Sequence, residues 1–315
     1  MQARGLNLHQ TGELKKRSEL AIESLRSCNL CPRNCRVNRL EGETGVCQTA
    51  DRAIIASYNP HFGEEQPLVG THGSGTIFLS SCNLKCCFCQ NYDISHNPNS
   101  GVEVDAHAFA TVMIDLQDRG CHNINFVTPT HVVPQILTAL LIAYERGLKL
   151  PLVYNSSGYE SISTLRLLDS LIDIYMPDFK FWDNESARKY AEAADYPEMA
   201  RAAISEMYRQ VGDLSIGQDG TANQGLLIRH LLMRAGLDET KGILEFIAEQ
   251  VAKTTYGNIM NQYRPCGYSH QHPELLSGIS ADLYQQALSY ADEIGLTCLD
   301  QQDLKSLLAR LGITI

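Results

Sequence analysis

The 315-residue chain lacks any run of about 18 uninterrupted apolar residues, the length that reads as a membrane span. Its most apolar stretch, Ile136 to Tyr144, is short and broken by Thr138. The N-terminus, MQARGLNLHQTGELKKR, is polar and has no apolar signal-peptide region. The expected location is therefore the cytoplasm, with no membrane partner. Basic residues are also scarce: 26 Lys and Arg against 36 Asp and Glu give a formal net charge of -10. That balance excludes a general nucleic-acid binder, which needs a basic footprint. Arg33, Arg36 and Arg39 are a local exception and read as solvated surface charges. Neither an internal repeat beyond a strand–helix rhythm nor a low-complexity tract is present.

Cysteine, by contrast, is abundant. Of 11 cysteines, four fall in residues 28–47 and four in residues 82–89. A reducing compartment would not keep them as disulfides, and tight thiol clusters in such a chain read as metal sites. The scattered Cys121, Cys266 and Cys298 read as small buried hydrophobes.

Residues 13–27 have the pattern of a short amphipathic helix, and residues 48–75 that of loops and short strands. From Thr76 onward, short apolar strands (76–80, 124–127, 152–154, 172–176, 226–230 and 257–261) alternate with amphipathic helices (104–120, 133–146, 159–170, 184–194, 197–211 and 237–253). Helices near 279–295 and 301–311 complete the chain. Six such units predict an α/β fold with a parallel sheet, a partial (β/α)6 TIM-like barrel. The expected division is an N-terminal helix and Cys-rich metal lobe over 1–60, the partial barrel over 61–275 and a C-terminal helical extension over 276–315. In such folds the active groups sit after the C-terminal ends of the strands. Cys82, Cys86, Cys89, Thr128, Thr130, His131, Asn155, Ser156, Ser157, Asp178, Lys180 and His230 all follow or end a strand there.

Cys82, Cys86 and Cys89 are spaced CxxxCxxC, with Cys87 wedged beside Cys86. Thiolates are soft ligands suited to iron–sulfur clusters and to zinc. A four-iron cluster normally takes four cysteines. With three, one iron keeps an open position that can chelate a substrate. The duller reading is a zinc knot or an inert buried patch. The motif, with Phe88 before its third cysteine and its place after the first barrel strand, resembles the radical S-adenosylmethionine (SAM) superfamily. That resemblance implies a [4Fe-4S] cluster whose open iron binds SAM, reductive cleavage to a 5′-deoxyadenosyl radical, hydrogen abstraction from a substrate and a reduced flavodoxin- or ferredoxin-type electron donor. It implies that Phe88 lies near the SAM adenine.

More narrowly, CNLCPRNCRVNRLEGETGVC, GSGTIFLSSCNLKCCFCQNYDIS, NSSGYES, IDIYMPDFKF, LLIRHLLM and NQYRPC resemble the glycyl-radical-enzyme activases of the pyruvate formate-lyase-activating type. The resemblance puts Lys180 of Asp178-Phe179-Lys180 at the SAM carboxylate and Arg229 at the strand-five arginine. Asn155 stands where activases have an acidic residue for the SAM amino group. Thr128-Pro129-Thr130-His131 replaces their Gly-Gly-Glu element, leaving the Thr128 and Thr130 hydroxyls and backbone carbonyls as substitutes. His61, Glu64 and Glu65 either reach the pocket or form a surface turn. The implied substrate is a backbone glycine of a glycyl-radical enzyme. Another protein, a peptide or a small metabolite is the alternative, and an electron-transfer or structural metal protein is the non-enzyme reading. The first thiol group, Cys28, Cys31, Cys35 and Cys47, suits either a second [4Fe-4S] cluster or Zn2+.

Overall fold

A computed structural model describes residues 4–233 and 236–300. Nine strands form one sheet: β1 (Ala53–His61), β2 (Ser74–Leu79), β3 (Val102–Val104), β4 (Ile124–Val127), β5 (Leu152–Ser156), β6 (Ile174–Pro177), β7 (Ser215–Ile216), β8 (Ala222–Leu231) and β9 (Tyr256–Met260). Strands β2, β4, β5, β6, β8 and β9 pair in that order, each parallel to the next. The antiparallel β1 and β3 extend one end, and β7 lies antiparallel to β8. The six parallel strands are the six expected from the sequence. Their interior is buried on both faces, as parallel sheets require: all of β5 and β6, and all but one residue of β2, are buried.

The crossover helices form where the apolar period is 3.6. Helix Ala106–Asp118 buries Phe109, Met113 and Leu116, with Val112 partly covered at the edge of that face. Its start is fixed by Asp105, whose carboxylate accepts the Ala108 amide at 2.8 Å. Helix Val133–Glu145 buries Val133, Ile136, Leu137, Leu140 and Tyr144. The helix expected over 237–253 is α-helical over Leu237–Phe246 and closes with a π turn over Ile247–Val251. The helix expected over 301–311 lies outside the described residues.

Residues 48–75 correct one expectation. They include β1, a nine-residue strand rather than loops and short strands. Its Asn59 and Pro60 discourage a strand assignment. Pro60, however, pairs only with β2, opposite Gly75, because β3 covers just Ala53 to Ile55. On an edge, the missing amide breaks no ladder. Strand β3 occupies Val102–Val104, so the following helix begins at Ala106 rather than at 104.

One register line positions the site. Phe78 stands opposite Val127, Val127 opposite Asn155, and Asn155 opposite Met176. Asp178 bridges to Arg229, and Arg229 pairs with Asn258. The C-terminal ends of the parallel strands are thus level, and the residues just beyond them face one mouth.

Candidate active site

That mouth holds a cavity of about 350 Å³, within the size of small-molecule pockets. Every parallel strand contributes to its wall: Leu79 and the following cysteines, Thr128, Asn155, Asp178, Arg229, and Met260 with Gln262. Cys82, Cys86 and Cys89 all line it, and Cys87 does not. Cys87 is held away by its backbone, whose amide donates to Tyr190 O and whose carbonyl accepts from the Tyr268 amide.

Two of the three lining thiols receive hydrogen bonds. The Leu84 amide donates to Cys82 Sγ at 3.3 Å, and Ser95 Oγ to Cys89 Sγ at 3.2 Å. Burial pushes the thiol pKa of Cys86 well up and raises that of Cys82. The loop that presents them is bent by Ser81 (φ 73°) and Lys85 (φ 53°), both in the left-handed region. Thr128 follows β4 with φ 61°, and its amide donates to Asn155 O at 2.8 Å.

The polar residues singled out in the sequence converge. Asp178 is the hub. Lys180 Nζ donates to its Oδ2 at 2.6 Å, and Arg229 Nε to its Oδ1 at 2.7 Å. A second Arg229 nitrogen, Nη2, donates to Asn155 Oδ1 at 2.8 Å. Burial opposes ionisation of Asp178, but the Arg229 and Lys180 charges outweigh it and hold its pKa below the usual carboxylate value. Burial likewise opposes the Lys180 charge, and the Asp178 carboxylate and Cys86 reverse the balance. Gly158 makes room for this hub: with φ 75°, an added Cβ would lie 2.5 Å from Asp178 O.

Phe88 lines the cavity but is only 3% exposed. Its ring meets Phe181, Tyr190 and Tyr263 edge-on, so it also belongs to the core. His61 and Glu64 reach the cavity wall, Glu64 at 3.5 Å from Arg229. Glu65 turns inward instead and accepts from Asn258 Nδ2 at 2.8 Å. Thr130 and His230 lie outside the cavity: Thr130 Oγ1 donates to buried Glu160, and His230 is held between Phe179 O and Thr240. Gln262 and Met260 escaped the sequence reading, although Gln262 lies within NQYRPC and just past the sixth strand. Ser157 Oγ is buried against the cavity and has no hydrogen-bond partner among the described residues.

The first thiol group surrounds a separate small cavity lined by Cys28, Cys31, Cys35, Cys47, Asn83 and His131 among others. Burial raises the Cys31 thiol pKa to about 12. Among the described residues, no group of three or more His, Cys, Asp or Glu side chains is arranged to hold a single metal ion.

Three expectations need correction. Arg39 is not solvated: it is 1% exposed and donates to Ala50 O and His131 O. Arg33 is likewise committed to backbone carbonyls of the 83–84 and 191–192 segments. Their charges are spent on carbonyls that strands and helices leave unpaired. Cys298 is exposed and Cys266 half-buried, so only Cys121 of the scattered three is a buried small hydrophobe.

No family model matches the chain. It is 30% identical to the uncharacterized protein MJ0674 of Methanocaldococcus jannaschii over 287 residues, covering 88% of this chain and 78% of that one. In fold it is similar to the solved structure of native anSMEcpe with bound AdoMet, with a TM-score of 0.50 at 10% identity. That match covers 75% of this chain and 65% of the other, slightly less than two thirds of the neighbour's length.

Proposed function

The chain belongs to the family of the M. jannaschii protein MJ0674, and from that premise and the cavity's geometry we propose that it is a radical SAM enzyme built on a partial (β/α)6 barrel. The observation that carries this reading is the meeting of three thiols, Cys82, Cys86 and Cys89, in one cavity with a partly buried cation network. The fold shared with an AdoMet-bound protein supports it.

The residues fit the cofactors. Three thiols face the cavity while Cys87 faces away, which suits a [4Fe-4S] cluster with one open iron. The cavity extends past them to Lys180, Arg229 and the partnerless Ser157 hydroxyl, which suits a zwitterionic amino-acid group. When bound, cluster and SAM supply one-electron cleavage of SAM and, from it, hydrogen abstraction from a substrate.

The chain's own residues bind, orient and enclose. Asp178 takes one of the three Lys180 donors, so the ammonium can also take a carboxylate. Asp178 holds Lys180 and Arg229 in place, and Arg229 in turn orients Asn155. The Asn155 carbonyl oxygen, Thr128 and nearby backbone carbonyls are the acceptors for an amino group, in place of an acidic residue. Phe88 closes the wall on the adenine side. Walls built from six strand ends would confine a reactive radical and separate it from other hydrogen donors. The substrate we carry forward is a backbone glycine of a glycyl-radical enzyme, with electrons from a reduced flavodoxin- or ferredoxin-type donor.

Equilibrium binding of SAM to the anaerobically reconstituted protein tests the SAM part. Saturable binding that weakens in Lys180→Ala supports it. SAM binding unaffected by both Lys180→Ala and Cys82→Ala would place SAM elsewhere and refute the site.

A further inference from the structure

The first thiol group has a physical problem that its own packing does not solve. It lies in a segment with almost no regular structure, between the turn Ser24–Ser27 and β1, broken only by one 3-10 turn at Arg39–Glu41. The buried apolar cluster there consists of Leu25, Cys28 and Leu30, with Ile22, Val37 and Leu40 against it. Burying a few such side chains offsets only part of the entropy lost in ordering the irregular backbone between them. Turn hydrogen bonds such as Arg36 N to Cys28 O (2.9 Å) and Cys28 N to Val37 O (3.0 Å) are too few to offset that.

The backbone is strained as well. Asn34 (φ 46°), Arg36 (φ 59°) and Gln48 (φ 55°) each stand beside one of the four cysteines in the left-handed region. Such residues are disfavoured and persist only where the surroundings over-determine them. At Gly45 an added Cβ would lie 2.6 Å from Cys35 Sγ, so the chain approaches that sulfur as closely as glycine allows. All four cysteines are free of disulfides and line one cavity.

Small, poorly cored segments are stabilised by disulfides or by metal, and none of these four thiols is in a disulfide. We infer that Cys28, Cys31, Cys35 and Cys47 hold a thiophilic metal centre closed by four thiolates, and that this centre braces the loop carrying Cys82. The four thiols share one small cavity, and among the described residues no three donors stand in single-ion geometry. Four-thiolate closure is common to Zn2+ and an iron–sulfur cluster, and the metal is read by experiment.

The brace is visible in two contacts. Arg33 lines the thiol cavity and donates to Asn83 O (3.0 Å) and Leu84 O (3.1 Å) on the Cys82 loop. Arg39, with Nη1 3.9 Å from Cys28 Sγ, donates to His131 O at 2.8 Å, and His131 Nε2 meets Ser80 O at 2.9 Å. Because Nε2 faces a carbonyl oxygen, it carries the hydrogen and donates to Ser80 O. The two contacts grip both ends of the segment from Ser80 to Leu84.

The test uses the full chain with Cys82, Cys86 and Cys89 all changed to Ala, purified anaerobically, and measures zinc, iron and acid-labile sulfide. About one zinc without sulfide, or about four iron with matching sulfide, supports the centre and identifies it. Finding neither metal overturns it. This variant leaves the four thiols intact, so the outcome does not depend on the barrel site or on the proposed activity. Metal that survives further change of Cys28, Cys31, Cys35 and Cys47 to Ser also overturns the assignment. For the brace, Arg33→Ala in the otherwise unaltered protein should keep the lobe's metal and speed amide hydrogen exchange over residues 82–87 by about tenfold. Unchanged exchange overturns the brace.

Discussion

At the scale of single residues, backbone strain and buried charge mark the same places. Of the eight non-glycine residues with positive φ among those described, Ser81, Lys85 and Thr128 border the large cavity, and Asn34, Arg36 and Gln48 border the thiol lobe. Strain of this kind concentrates where side chains must be aimed. The Asp178 hub gives sharper consequences. Asp178→Ala leaves Lys180 and Arg229 as partly buried cations without their carboxylate and should cost about 3 kcal/mol in denaturant unfolding, the low end for breaking a buried pair. Lys180→Ala should cost less, since Asp178 keeps Arg229. The same lysine variant should weaken SAM about 10- to 100-fold, the range for losing one hydrogen bond to a charged group. The pH sign follows from the Asp178 pKa, which is lower folded than unfolded. Its contribution is present above the ordinary carboxylate pKa of about 4 and is lost as pH falls through the lower folded value. Acid unfolding monitored by circular dichroism should therefore differ between wild type and Asp178→Asn above about pH 4 and converge at the acid extreme.

At the scale of elements, the strand–helix rhythm was legible because the six parallel strands are short apolar runs and the helices keep a 3.6 period. Strand β1 was not, because an edge strand tolerates Asn59 and Pro60 that a central strand would refuse. The three cysteines and Lys180, Asn155 and Thr128 were legible as residues past the expected strand ends, and Arg229 through the family resemblance. What the sequence could not carry was their partners. The Asp178 hub depends on sheet register, and the buried roles of Arg33 and Arg39 depend on carbonyls far away in the chain. Glu160 was equally hidden. It is buried beneath β5, accepts from Thr130 Oγ1 at 2.6 Å and Tyr154 at 3.1 Å, and burial raises its pKa to about 7. Its folded pKa is above the unfolded one, so its contribution is fully present below about pH 4.3 and is lost as pH rises through about 7. Glu160→Gln should therefore gain stability relative to wild type across that window, by on the order of 3 kcal/mol at its upper end. A stability difference that does not change with pH would contradict this. At the other face, Asp105→Ala should cost about 1 kcal/mol through the lost helix cap and leave SAM binding unchanged.

At the scale of the whole molecule, six parallel strands in chain order, level at their C-terminal ends, bring three thiols and a partly buried cation network to one cavity. Antiparallel β1 and β3 extend the sheet beside β2, and the cysteine lobe lies against the loop leaving β2. Both thiol groups thus meet on the segment from Ser80 to Cys89. In the proposed function, Cys82, Cys86 and Cys89 make this cavity a site of reductive SAM cleavage. The most direct measurement is chromatographic detection of 5′-deoxyadenosine after anaerobic reconstitution with iron and sulfide, reduction and addition of SAM. Product is expected from the wild type and none from Cys82→Ala, Cys86→Ala or Cys89→Ala. No product from a wild type that has taken up its iron, with a cluster spectrum insensitive to SAM, would contradict it.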